Sequence, residues 1–130
     1  MIIAIDFDET LHSGKWPGIG SPVPYAIETM KRLKKDGHTL IIWTCREGEQ
    51  QTKMVNWLLE KDIPFDRIND NLPGQSRIYG SNARKVHAHL YIDDRQVGGL
   101  PMWTEIYDEV CLMEANYKAN NDGSHTENIG

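Results

Sequence analysis

Asp6 and Asp8 stand two residues apart at the end of the apolar run IIAI, and Asp93 and Asp94 stand side by side at the end of LYI. Each pair follows residues that ask for burial, so the chain carries four carboxylates to the rim of a hydrophobic core, where uncompensated negative charge is costly. Gathered at one rim, they would raise one another's pKa unless a cation sat between them. Oxygen ligands without a His or Cys cage favour Mg²⁺, which keeps several waters and is held by one or two carboxylates plus a substrate phosphate. The ligand that fits such a rim is a phosphoryl group.

The two early aspartates can take different jobs. An aspartate in line with phosphorus can attack it, forming an aspartyl-phosphate and splitting one hard displacement into two easier ones; this is the role expected of Asp6. Asp8 would then protonate the leaving alkoxide and later deprotonate the attacking water, general acid–base help of roughly 10²- to 10⁴-fold. The phosphoryl oxygens need donors, and Thr44, at the tip of the run TLIIWT, offers a hydroxyl. Lys85 is expected to supply the fixed positive charge, with Arg84 and Arg77 as rivals. Arg46, two residues past Thr44, reads either as a binder of the substrate anion or as a solvent-facing arginine at a helix start. The bland alternatives are turn acids in solvent for Asp6 and Asp8, a helix cap for Thr44, a surface lysine for Lys85, and an N-cap or Arg95 partner for Asp94.

Alternating strands and helices must position these groups. Residues 2–7 read as a buried strand. A helix follows, with Pro24 in its first turn, an apolar stripe of Ala26, Ile27, Met30 and Leu33, and Gly37 as terminator. Residues 39–44 are a second strand, residues 47–61 a second helix with Val55, Leu58 and Leu59 inward, and residues 65–68 a third strand. The polar, Gly- and Asn-rich stretch 69–85 reads as loop, and HAHLYIDD brings a fourth strand. A last helix is expected over 102–117 with Ile106, Val110 and Met113 facing a core, then a disordered tail over 118–130. The expected fold is α/β: a Rossmann-like three-layer sandwich with a mostly parallel central sheet, as one domain over 1–117. Ligands of such sheets lie beyond the carboxyl ends of the strands, where Asp6, Asp8, Thr44, Asp93 and Asp94 all fall.

The 130 residues suit one domain with a real core, and 39% hydrophobic with 25% charged residues is ordinary globular composition. A net charge of −5 argues against a general nucleic-acid surface. The opening MIIAI lacks a basic flank, and no later apolar run approaches ~18 residues, so neither a signal peptide nor a membrane span is expected. Cys45 and Cys111 match no metal spacing and read as two buried thiols of a reduced, cytoplasmic protein. His87 and His89 share one face of an extended segment, but no third soft ligand is near in sequence to suggest zinc.

DFDET at 6–10, IIWT ending at Thr44, Lys85 and IDD at 92–94 together resemble the haloacid dehalogenase-like (HAD) superfamily, in order and in strand context, over about residues 1–110. The resemblance implies an Asp6 nucleophile, an Asp8 acid/base, and Mg²⁺ bound by the Asp6 carboxylate, the Asp8 backbone carbonyl and Asp93, with Asp94 assisting directly or through water. An aspartate at position 8 points within the family to phosphate monoester hydrolysis. Glu9 departs from the glycine common there. Only about thirty residues separate Asp8 from the second strand, so the chain resembles the capless type, whose open site suits a large substrate or a neighbouring copy acting as lid. The loop HSGKWPGIG, residues 12–20, could cover a small part of the entrance, with Lys15 and Trp16 near the leaving group. Two alternatives belong to other classes: a phospho-receiver module, whose strand order of acids, Thr and Lys differs, and a catalytically faded HAD-like module that binds a phosphorylated or other partner.

Overall fold

Four short strands pair in parallel in the order β3-β2-β1-β4. They are β1 (Ile2–Ile5), β2 (Thr39–Ile42), β3 (Arg67–Ile68) and β4 (Leu90–Ile92), and the long helices among the described residues are α1 (Ala26–Lys35), α2 (Gly48–Glu60) and α3 (Trp103–Gly123). The structure is a computed structural model and describes residues 1–75, 80 and 82–123. The chain divides into two units, Met1–Leu100 and Pro101–Gly130; the first holds the whole sheet.

The register aligns Ile3 with Leu40 and Leu90, and Ile5 with Ile42 and Ile92. Odd residues of β1 therefore share one face of the sheet and even residues the other. Ile3, Ile5, Phe7, Leu40 and Ile42 are fully buried. The edge of Trp57 on α2 meets Phe7 at 5.5 Å between ring centroids, which sets α2 on this face. A right-handed crossover from β1 through α1 to β2 puts α1 on the same side. The opposite face carries Ile2, Ala4 and Ile41, packed with Val86, Leu72 and Ala88 from the β3–β4 connection. The two central strands, β1 and β2, have both faces covered, which is why they read as unbroken apolar runs.

Local sequence explains the helix ends. Gly37 has φ 94°. Its N–H bonds the Lys34 carbonyl and that of His38 bonds the Leu33 carbonyl, so the glycine lets α1 stop in a paired C-terminal turn. The helix faces differ in detail from the periodic reading. On α1 the buried side includes Thr29, with Ile27 at its margin. On α2 the buried set is Met54, Trp57 and Leu58, while Leu59 is 64% exposed. Met54, Trp57 and Leu58 make an i, i+3, i+4 stripe, and Leu59 falls off its edge.

In the second unit the Met102 N–H donates to Glu105 Oε1 at 3.2 Å and caps the start of α3. Trp103, Ile106 and Val110 form its buried side, and Met113 is 37% exposed. The helix runs on to Gly123 where an end at 117 is expected from the pattern; residues 124–130 lie outside the described ones. Both cysteines are exposed, against the expectation of buried thiols. Cys111 follows buried Val110 and is rotated off its face, and Cys45 sits in the turn between β2 and α2. Among the described residues no helix is long and apolar enough to cross a membrane.

Candidate active site

Strand order reverses between β1 and β4: β2 and β3 lie to one side of β1, and the chain returns to add β4 on the other. At such a switch point the connections leave in opposite directions and open a crevice beyond the carboxyl ends. Asp6 follows β1 and Asp93 follows β4, and the Asp6 N–H bonds the Ile92 carbonyl at 2.9 Å, so the two strand ends are laced together at the crevice floor. A cleft of about 360 Å³ opens there, lined by Asp6, Asp8, Glu9, Gly14, Trp16, Cys45, Asp93, Asp94 and Arg95.

Asp6, Asp93 and Asp94 each offer an oxygen, all within 4.8 Å of one another. Burial pushes Asp6 up to about 8; the hydrogen bond with Asp94 and the charge of Asp93 add to it. Three carboxylates this close in a half-buried crevice are in an unfavourable arrangement on their own, and a hard divalent cation is the group that such an all-oxygen set fits. Thr10, fully buried, bridges the two strand ends. Its Oγ1 lies 3.2 Å from Asp6 Oδ2 and 3.1 Å from Asp94 Oδ1, and accepts the Asp94 N–H at 3.1 Å. Asp93 Oδ1 accepts the Arg95 N–H, which closes the turn after β4.

Asp8 lives in the opposite environment. Arg46 approaches it as a two-pronged fork, Nε to Oδ2 at 2.9 Å and Nη2 to Oδ1 at 2.7 Å. His12 Nδ1 accepts the backbone N–H groups of Gly14 and Gly20 at 2.9 and 3.1 Å, so its proton must sit on Nε2, which donates to Asp8 Oδ1 at 2.8 Å. Burial alone would raise Asp8, but the hydrogen bonds from Arg46 and His12, with the Arg46 charge, outweigh it and hold the carboxyl below its usual range.

Arg46 is 1% exposed, against the alternative of a solvent-facing arginine; Nε and Nη2 are engaged by Asp8 and the Pro17 carbonyl at 3.0 Å, and Nη1 lies 3.5 Å from the Gln50 carbonyl. Its guanidinium lies between the rings of Phe7 and Trp16, 5.2 and 4.7 Å from their centroids. Thr44 stands at the β2 end, locked through its backbone to the Asn69 amide, while its Oγ1 accepts the Arg46 N–H at 3.0 Å. It is not among the cleft-lining residues, where its neighbour Cys45 appears instead. Lys85 is exposed with Nζ 5.1 Å from the ring of Tyr91, and it too is absent from the lining. Arg84 is exposed, and Arg77 lies outside the described residues. His87 and His89 meet edge to face at 5.6 Å, and His89 Nδ1 is occupied by the Ile2 N–H.

Thr10 and His12 are site residues that their local sequence does not mark. Thr10 is visible only as the last letter of DFDET. His12 had a signal available, since it follows Asp8 by four positions, but a lone histidine before a glycine-rich loop reads as surface.

No family model matches the chain. A Bacillus cereus protein described as a "putative nucleotidase" is 31% identical over 77 residues, 58% of this chain and 40% of that protein, so the chain spans about two-fifths of its relative's length. The solved structure of a conserved protein from Bacteroides thetaiotaomicron is similar at TM-score 0.79 and 38% identity, over 87% of this chain and 91% of that one. The chain is thus an α/β protein with the parallel-sheet fold of that bacterial structure, carrying its acids at the switch point.

Proposed function

We propose that this protein is a divalent-cation-dependent phosphate monoester hydrolase of the HAD type, working through an aspartyl-phosphate on Asp6. The carrying observation is the convergence of Asp6, Asp93 and Asp94 oxygens within 4.8 Å at the β1/β4 switch point. The nucleotidase description of the Bacillus cereus relative supports the same chemistry and makes nucleotides the first substrates to try.

Asp6, Asp93 and Asp94 would hold the cation, Mg²⁺ by its preference for such ligands, and when bound it would neutralise the carboxylates and the phosphoryl oxygens. The Asp6 carboxylate attacks phosphorus and the ester oxygen leaves; water then hydrolyses the acyl phosphate and returns Asp6. Asp8, held ionised by Arg46 and His12, is set to take the proton of that water. Donating a proton to the leaving group asks it first to gain one against both donors. Lys85 keeps its proposed role as the neutralising cation.

Hydrolysis of p-nitrophenyl phosphate and nucleoside monophosphates by the purified protein tests the reading. Turnover with Mg²⁺ is expected to vanish with EDTA and in Asp6→Asn. A second reading, a faded HAD-like module that binds phosphate without turning it over, is favoured by the occupied oxygens of Asp8; stoichiometric binding of phosphate esters with no turnover would select it.

A further inference from the structure

Among the described residues that line the cleft, Trp16 is the one aromatic side chain, and it is 57% exposed. An exposed tryptophan on a short polar loop is costly in apolar surface and ordinarily adopts many positions. This one is held from three directions. Gly14 and Gly20 touch backbone to backbone, close enough that a Cβ on Gly14 would stand 2.2 Å from the Gly20 nitrogen. His12 Nδ1 pins both glycine N–H groups, and Arg46 takes the Pro17 carbonyl at 3.0 Å. The inner side of the Trp16 ring rests on the Arg46 guanidinium, 4.7 Å from the centroid.

We infer that Trp16 is the platform on which the organic part of the substrate stacks, and that it selects phosphate esters carrying a planar aromatic ring, nucleoside monophosphates above all. The inference rests on the phosphomonoesterase reading of the acid cluster and adds a specificity residue to it. The same guanidinium that supports the ring holds both oxygens of Asp8, so the ring stands one guanidinium away from the group placed over the leaving oxygen. Whatever is bonded to that oxygen must extend along this wall. The remaining lining is acids, Arg95, Cys45 and a glycine, which offer an extended ligand no other flat apolar surface. A cleft of about 360 Å³ is at the small-molecule scale. A guanidinium beneath the ring also fixes its orientation, which lowers the ordering cost of stacking on its outer face.

The test compares adenosine 5′-monophosphate with ribose 5-phosphate, which presents the same ester without the base. Stacking of a base on an aromatic side chain corresponds to roughly 5- to 150-fold in affinity. The wild-type KM for the nucleotide is expected to be lower by a factor in that range, the gap to close in Trp16→Ala and to persist in Trp16→Phe. Equal KM values in the wild type, or a Trp16→Ala change that shifts both esters alike, would overturn the assignment while leaving the hydrolase reading intact. Binding of adenosine alone, read by calorimetry, is independent of turnover. If adenosine binds, and Trp16→Ala abolishes it, in a protein that hydrolyses no ester, the platform stands and the hydrolase reading falls.

Discussion

Asp6 and Asp8 are two residues apart and of one type, yet their surroundings drive them in opposite directions. Asp6 faces other acids and holds its proton up to about 8, whereas Asp8 is gripped by a buried arginine and a histidine. Replacing each by asparagine should therefore move stability in opposite senses. In the cation-free protein the unfolded chain releases the Asp6 proton near 3.8 and the folded one near 8. Stability from this group is full below about 4 and is lost as pH rises toward 8. Asp6→Asn removes that loss, so its melting temperature relative to wild type is expected to climb between pH 5 and pH 8. Asp8→Asn strands a guanidinium that is 0% exposed, a cost on the order of 3 kcal/mol. Its melting temperature should fall across the same range, and thermal scans of the two variants side by side check both signs. Activity lost in Asp8→Asn is to be read against that drop.

At the scale of elements, β1 and β2 and their loaded ends were legible because burial on both faces leaves an apolar run, and a parallel sheet then dictates where function sits. The phase of α2 was not. Periodicity places Leu59 inward as readily as Met54, and only the contact of Trp57 with Phe7, fifty residues away in sequence, decides. The same holds for Arg46, whose partner lies 38 positions upstream; nothing local distinguishes it from a surface arginine. Thr10 is legible as part of a motif but its bridge to Asp94 spans 84 residues. Loop 12–20 owes its shape to glycines, and Gly14→Ala forces a Cβ against the Gly20 backbone. We expect a loss of about 1–3 kcal/mol in urea unfolding, with a milder effect for Gly18→Ala, whose Cβ would meet only the Lys15 carbonyl at 3.1 Å.

For the molecule as a whole, folding concentrates like charge at one edge of the sheet, in a chain already at −5. Cation binding should relieve this concentration and raise the melting temperature. Because a proton on Asp6 competes with the cation, apparent Mg²⁺ affinity is expected to increase with pH and level off above about 8, with protons released on binding below that point. Titration calorimetry in buffers of different ionisation enthalpy measures both. A pH-independent affinity without proton release would separate Asp6 from the cation.

The meeting of Gly14 and Gly20 has a consequence for how such a scaffold can grow. When the two ends of a segment already touch, its contour length is decoupled from the body beneath it, and doubling that length adds only about 0.6 kcal/mol of closure entropy. The stem at these glycines is thus a ready splice point, where a bulkier cover could be inserted over the crevice without shifting a single strand.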